Sequence, residues 1–129
     1  MVASRRAAIV GELRSKVAEK DTAAGFGPDF PRAASTPFVL GLGEVASHEA
    51  IRSLLQAGEI TVGIRASIEH LAPSSVGAEL IARSRLVRKR GRRFYFDIEV
   101  WDRDSVVARI KHQRAIVDAE RMRQRLEPQ

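Results

Sequence analysis

The sequence has no cysteine, few aromatic residues and no long hydrophobic run. Because none of the 129 residues is cysteine, disulfides, thiolate zinc sites and a cysteine nucleophile are excluded. Apolar runs such as Ala7–Val10 fall far short of the ~20 residues that cross a membrane and of the roughly 7–15 in a signal-peptide core. We therefore expect a cytoplasmic protein that does not contact a membrane.

Aromatic residues make up only 5% of the chain and do not form a base-stacking platform of the kind that binds single-stranded nucleic acid. The length and the 44% hydrophobic content fit one domain, residues 1–129, with 1–8 and 120–129 as flexible tails. The 22 Lys and Arg exceed the 16 Asp and Glu, which gives a net charge of +6. This excess indicates an anionic partner without saying which.

The hydrophobic pattern predicts one long helix within a series of strands. Thr36 occupies an N-cap position, Pro37 suits the first helical position, and apolar residues recur through 38–56 until Gly58. A weak amphipathic strand at 9–18 and a loop at 20–35 precede the helix. Four strands are predicted after it, at 60–71, 78–88, 94–100 and 105–117, followed by a short helical or frayed tail at 119–127.

These strands alternate apolar and polar residues. In 60–71 the apolar set falls on even positions, which include Ile60, Ile64 and His70, so these side chains are expected to face the helix. We predict an α+β fold in which a single antiparallel sheet wraps around one helix. The outer face and edges of such a sheet need a cover, which favours a homodimer and leaves a dimer of dimers open.

Glu44 lies in the apolar half of the helix, between Leu42 and Val45. Burial of a carboxylate is costly unless it is paired or neutralised. Glu44 is therefore either a buried functional carboxylate or part of a narrow solvent-facing strip that includes His48 and Arg52.

His70 ends the apolar face of its strand, and its parity directs it inward. It is either a structural histidine or one half of an acid–base pair with a buried carboxylate. By pattern alone, Thr36 before Pro37 is a helix cap. Phe30 is, by the same standard, a loop anchor or a core residue.

His112 and Arg114 share the apolar parity of the last strand. An inward arginine needs an acceptor, because it cannot lose its proton. The candidates are Glu44, Asp97 or Glu99, a backbone carbonyl, or a bound ligand. The alternative is that this end of the strand is solvated.

No metal or nucleotide motif is present. His48, His70 and His112 lack an HxH or HxxxH spacing, and neither GxGxxG after a strand nor GxSxG occurs, so we predict no metal and no cofactor. A basic stretch is either a solvated hairpin or a site for a phosphate-bearing ligand or nucleic acid. It comprises Arg83, Arg85, Arg88, Lys89, Arg90, Arg92 and Arg93.

Three segments resemble, in register, the hotdog-fold thioesterases related to fluoroacetyl-CoA thioesterase. Thr36–Ala50 resembles the central helix of that family, Gly63–His70 its glycine-to-histidine strand, and Lys111–Ala115 its histidine-x-arginine strand. The order and spacing hold from about residue 10 to residue 120, which is nearly the whole chain.

The resemblance implies a hotdog fold and a role for each matching residue. Thr36, Glu44 and His70 occupy the catalytic Thr, Glu and His positions of the family. Gly63 stands where the family offers a backbone N–H near the thioester carbonyl, and Arg114 stands where an arginine lines or supports the acyl pocket. Phe30 matches one of two lid phenylalanines, whereas Gly27 stands at the other, so the general activity is carried over without the fluoroacetyl specificity.

These roles agree with the chemistry of thioester hydrolysis. Glu44 would attack the thioester to give an anhydride or would activate water, and His70 would shuttle protons. We therefore predict an acyl-CoA thioesterase with its active site near a dimer interface. The alternatives are a protein that binds acyl-CoA without hydrolysing it and, ranked last, a nucleic-acid-binding module that uses the hairpin 83–93.

Overall fold

The structure is a computed structural model that describes residues 8–128. Its elements follow the predicted order: β1 (Val10–Lys16), α1 (Thr36–Ile51), β2 (Glu59–His70), β3 (Glu79–Arg90), β4 (Arg93–Asp102), β5 (Ser105–Asp118) and α2 (Ala119–Leu126). Short 3-10 turns lie at Glu19–Asp21 and Ala23–Phe26, inside the predicted loop. Within the described residues, no helix combines the length and apolarity needed to cross a membrane. The assignment of residues 1–129 to a single domain stays a prediction. Of the predicted N-terminal tail, 1–8, only residue 8 lies within the described residues.

The five strands form one antiparallel sheet in the order β1-β3-β4-β5-β2. β2 follows α1 directly but pairs only with β5, so it is an edge strand of the sheet. β1 forms the opposite edge and pairs only with β3. The α+β class predicted from the pattern is confirmed.

Helix α1 packs against one face of this sheet through small residues. The first carbon of any side chain at Gly11 would overlap the carbonyl oxygen of Ala46. At Gly43 the same carbon would lie 2.9 Å from Ile110 Cδ1. Both glycines therefore allow the helix and sheet backbones to approach closely. Four alternate apolar residues of β4 are all buried beneath α1: Phe94, Phe96, Ile98 and Val100.

The start and end of α1 differ from the prediction. Ser35, not Thr36, is the N-cap, because its Oγ accepts the Phe38 N–H at 3.2 Å, and Thr36 is the first helical residue. The helix ends at Ile51, and one 3-10 turn, Arg52–Leu54, follows it. Gly58 does not terminate the helix. Its positive φ of 84° belongs to the turn that leads into β2.

The predicted inward face of β2 is wrong in its first half. The pairing with β5 shifts register between Gly63 and Arg65, so the ladder skips Ile64. A bulge of this kind moves the inward-facing set from one parity to the other. Thr61 is therefore buried, whereas Ile60 and Ile64 are 36% and 44% exposed.

Candidate active site

Thr36 and His70 meet at the N-terminal end of α1. The Oγ1 atom of Thr36 lies 2.8 Å from Nδ1 of His70 and shares a hydrogen bond with it. Thr36 is free for this contact because Ser35 caps the helix. The other imidazole nitrogen, Nε2 of His70, is buried and has no hydrogen-bond partner within residues 8–128. A buried imidazole nitrogen without a partner is available for a proton transfer.

Glu44 lies two helical turns further along α1 and faces Arg114 on β5. The two form an ion pair in which Nη1 of Arg114 is 3.6 Å from Oε2 of Glu44. The Arg114 side chain is 9% exposed and that of Glu44 is 42% exposed. Of the carboxylates considered as acceptors for Arg114, Glu44 is the one that pairs with it. Asp97 pairs with Lys111, and Glu99 pairs with Arg109.

The remaining donors of Arg114 bind Thr61 and His112. Nε donates to Thr61 Oγ1 at 2.9 Å, and Nη2 donates to the Thr61 carbonyl at 3.0 Å. Nη1 is 3.0 Å from Nε2 of His112. All three nitrogens of the guanidinium are therefore held in place, and its planar fork is fixed in front of Glu44.

Two histidines complete this buried network. Nδ1 of His112 donates to the Arg65 carbonyl at 2.8 Å, and Nδ1 of His48 is 2.8 Å from Thr61 Oγ1. Burial lowers the pKa of His112, and the Arg114 charge acts in the same direction. Burial likewise lowers the pKa of His48. Both rings are therefore neutral at physiological pH. Sequence reasoning missed Thr61, because the β2 bulge that turns it inward has no signal in the alternation.

Gly63 lies where these side chains converge. A Cβ at this position would be 3.2 Å from Glu44 Oε1, 3.1 Å from His112 Cε1 and 3.4 Å from Arg114 Nη1. The missing side chain leaves room for a ligand atom to approach the backbone of the bulge beside the carboxylate. The structure therefore groups Glu44, Gly63 and Arg114, three of the residues that the sequence singled out.

One protomer holds two separate groups of site residues. Thr36 with His70 forms the first, and Glu44 with Gly63 and Arg114 forms the second. Glu44 lies eight positions after Thr36 in α1, a rise of ~12 Å along the helix axis. In residues 8–128 no direct hydrogen bond joins Glu44 to Thr36 or His70.

Phe30 lies apart from both groups, on the loop before α1. Its ring centroid is 6.2 Å from that of Phe26, and the two side chains are 52% and 64% exposed. Phe26 was not predicted, because the resemblance points to position 27, where glycine stands. The sequence signal that could have indicated this ring pair is the spacing of four residues between Phe26 and Phe30, across the Gly27-Pro28 turn.

The face of the sheet opposite α1 carries alternating charges in two rows. Paired positions run across all five strands as Glu12, Arg83, Glu99, Arg109 and Glu69. The neighbouring row contains Arg85, Asp97 and Lys111. A hollow of about 630 Å³ lies over these rows, and none of the predicted site residues lines it. Beyond these rows, the same face carries Ile81, Trp101 and Val106 at paired positions, so the predicted cover for it stays a prediction.

The excess cations are concentrated in the β3–β4 hairpin. Arg88, Lys89, Arg90 and Arg93 have no acidic partner within residues 8–128, whereas Arg92 is 3.6 Å from Glu59. Arg90 and Arg93 occupy directly opposite positions. Like charges placed opposite each other destabilise a hairpin, so this arrangement favours an anionic ligand. No group of three or more acidic or histidine residues that could hold a metal occurs in the described part of the chain.

Comparisons with known proteins agree on the fold. A family model described as fluoroacetyl-CoA-specific thioesterase (FlK) matches residues 17–120. The structure of the fluoroacetyl-CoA thioesterase FlK shares 22% identity and a TM-score of 0.85, over 98% of this chain and 100% of that chain. A thioesterase superfamily member from Thermus thermophilus shares 18% identity and a TM-score of 0.83, over 91% and 87%. A hot-dog-like protein from Thermanaerovibrio acidaminovorans shares 21% identity and a TM-score of 0.81, over 95% and 93%. No curated protein sequence matches.

The sheet wrapped on a single helix is thus the predicted hotdog fold, here that of a thioester hydrolase. The match over residues 17–120 places this chain in the fluoroacetyl-CoA-specific thioesterase family. Its reaction is accordingly the hydrolysis of an acyl-CoA thioester to a free acid and CoA.

Proposed function

We propose that Thr36, Glu44 and His70 carry out this hydrolysis without a cofactor. The observation that carries the assignment is the His70 imidazole, whose Nδ1 is held by Thr36 while its buried Nε2 has no partner in the described chain. Such a ring is oriented by one nitrogen and can move a proton with the other. In the second group, the Arg114 guanidinium orients Glu44, and Gly63 leaves room beside the carboxylate.

The proposed reaction cleaves the carbon–sulfur bond of the thioester. Glu44 attacks the carbonyl carbon or removes a proton from an attacking water, and backbone N–H groups near Gly63 stabilise the oxyanion. His70 delivers a proton from Nε2 to the departing CoA sulfur. Water supplies the second oxygen of the acid, directly or by opening an anhydride at Glu44. Structures of FlK mutants contain acetyl-CoA in one case and fluoroacetate with CoA in another.

We also propose that two copies of the chain form a dimer through the free edge of β2. This edge is twelve residues long and exposes Ile60 and Ile64. An unprotected apolar edge of this length pairs readily with another strand. In antiparallel pairing, overlap of the second halves of two β2 strands would bring His70 of one copy towards Gly63 of the other. The two groups of site residues would then form one site across the interface.

The β3–β4 hairpin is proposed to bind the phosphates of CoA. The cations of the hairpin directly precede Phe94 in the chain, and Phe94 pairs with Arg114 in the sheet. The cations therefore lie at the Arg114 end of the site. Beside the hairpin, on the face of the sheet opposite α1, a hollow of about 530 Å³ has both cationic and aromatic lining residues, including Arg65, Arg88 and Tyr95. The Arg88 guanidinium lies 4.4 Å from the centre of the Tyr95 ring. A cytoplasmic location, where CoA esters are available as substrates, completes the proposal.

The central test is release of CoA thiol from a panel of acyl-CoA substrates. We expect Glu44→Gln and His70→Gln to reduce kcat by roughly 10²–10⁴-fold, the usual contribution of such groups. Glu49→Gln removes an exposed carboxylate from the same helix and is the matched control. Wild-type rates in folded Glu44 and His70 variants would remove the assignment, and binding without turnover in the wild type would identify an acyl-CoA-binding protein.

A further inference from the structure

The buried contacts of His112 and Thr61 reach beyond Arg114 to the bulge in β2. His112 bonds the carbonyl of Arg65, and Arg114 bonds the carbonyl of Thr61. These two carbonyls lie on either side of Gly63 and Ile64, the residues at which the ladder changes register. His112 and Arg114, two neighbouring inward side chains of β5, thus form hydrogen bonds to the backbone on both sides of the bulge.

The hydrogen-bond partners fix the protonation state of His112. A carbonyl only accepts, so Nδ1 of His112 must carry the proton that it donates to Arg65. A guanidinium only donates, so Nε2 must accept from Arg114. Only the neutral ring with its proton on Nδ1 satisfies both contacts. A protonated ring would direct an N–H at Arg114 and break the network.

Thr61 joins the same network to α1. Its single hydroxyl proton is available for Nδ1 of His48 because Oγ1 accepts from Arg114. A chain of hydrogen bonds therefore runs from His48 through Thr61 and Arg114 to His112. It connects the helix that carries Glu44 to the edge strand that carries Gly63. Thr61, His112 and Arg114 are each less than one-tenth exposed, so water competes little for these bonds.

We propose that His112 and Thr61 are positioning residues that clamp the β2 bulge and Arg114, and thereby hold Glu44 beside the Gly63 backbone. The proposal rests on the thioesterase function proposed above. Neither residue needs to touch the substrate. Misplacement of a reacting group by about 1 Å can cost ~10²-fold in rate, which is the effect that a lost clamp would have.

The test compares variants that break the two His112 contacts selectively. His112→Phe keeps a planar ring beside Phe96 but removes both hydrogen bonds, and His112→Gln can retain an acceptor for Arg114. We expect His112→Phe to lower kcat for acyl-CoA by roughly 10²-fold with KM changed less than threefold, and His112→Gln to recover part of the loss. Thr61→Val removes the hydroxyl at nearly constant volume and should also act on kcat.

Ser84→Ala is the matched control for a lost buried hydrogen bond. Ser84 and Ser47 share a 2.8 Å hydrogen bond under the same helix, and Ser47 still donates to the Gly43 carbonyl in the variant. It should lower stability without changing kcat. A wild-type kcat in folded His112→Phe and Thr61→Val, or an equal loss in Ser84→Ala, would overturn the proposal.

A second measurement does not depend on activity. Nitrogen-15 NMR of the imidazole rings should show His112 protonated at Nδ1 and bare at Nε2 through neutral pH. A cationic His112 at neutral pH, or a proton on Nε2, would overturn the clamp. Because this readout needs no turnover, it remains decisive if the wild type fails to hydrolyse acyl-CoA, a result that would count against the proposed function alone.

Discussion

The hydroxyl of Thr36 holds one nitrogen of His70, and the second nitrogen is buried without a partner in the described structure. This contact depends on a shift of one residue at the helix start, since a capping Thr36 would use its hydroxyl on the helix itself. The Thr36 hydroxyl therefore orients His70, while the Ser35 hydroxyl caps the helix. Variants at the two positions test these roles separately.

Thr36→Val is expected to lower kcat more than stability. The helix keeps its cap at Ser35, so only the bond to His70 is lost. We expect a decrease in kcat of about 10–100-fold, with Thr36→Ser close to wild type because it keeps the hydroxyl. Steady-state kinetics with acetyl-CoA measure the effect. Ser35→Ala is the reverse control, which should lower the free energy of unfolding by about 1 kcal/mol and leave kcat unchanged.

Gly63→Ala should impair turnover through crowding. The added methyl group would lie 3.1–3.4 Å from Glu44, His112 and Arg114, so each must move by a few tenths of an ångström. We expect kcat/KM to fall at least tenfold, whereas Gly41→Ala, on an open part of α1, should keep wild-type activity. Unimpaired turnover in Gly63→Ala would show that no substrate atom approaches this backbone.

Stability should decrease as pH falls below about 6.5. Burial lowers the pKa of His112 and His48 in the folded state, so the unfolded chain binds more protons in this range. The stabilisation is then complete above the unfolded pKa and is lost as the pH falls towards the folded pKa. Urea unfolding between pH 7.5 and 5 should show this loss. His112→Gln should reduce it, whereas an unchanged pH dependence in that variant would assign the loss to other groups.

Mixing two inactive variants tests whether the site spans two subunits. If it does, a heterodimer of His70→Gln and Glu44→Gln chains contains one intact site. Random reassembly should then restore about a quarter of wild-type activity. A site formed within one subunit would stay inactive in every mixture. Sedimentation velocity of Ile64→Lys tests whether the β2 edge holds the dimer together, and Ile9→Lys is a control of similar exposure, 37% against 44%.

Neutralising the hairpin should weaken recognition of CoA but not of its pantetheine arm. Arg90→Gln with Arg93→Gln is expected to raise KM for acetyl-CoA about tenfold, or ~1.4 kcal/mol, and to reduce its salt dependence. Acetyl-pantetheine lacks the nucleotide phosphates, so its KM should not change. Arg121→Gln with Arg125→Gln removes the same charge from α2. Tight duplex binding with a steep salt dependence, together with an unchanged KM, would favour nucleic acid instead.

Much of the fold follows from hydrophobic periodicity. The alternation predicted the inward faces of Phe94 to Ile98 in β4 and of Ala108 to Arg114 in β5 correctly, because no bulge interrupts these stretches. It failed at Val106, where the pairing with β4 shifts register and Val107 is buried instead. The same rule failed in β2, where Ile64 is skipped and the inward parity changes. A bulge arises from pairing with a distant strand and leaves little trace in local alternation.

The residues of the site were predictable, but their grouping was not. The resemblance singled out Glu44 and His70 as one set, whereas a single protomer places Glu44 with Arg114 and His70 with Thr36. Distances across a sheet depend on strand order, and β2 pairs with β5, which comes three strands later in the chain. Thr61 was missed because of the β2 bulge, which turns its side chain inward against the local alternation.

The rows of alternating charge on the outer sheet limit how the protein can assemble. A second copy laid flat on these two rows would have to remove water from eight charged side chains that already neutralise one another. We therefore expect larger assemblies to use other parts of the surface. The cationic β3–β4 hairpins of different molecules repel one another, and salt screens this repulsion.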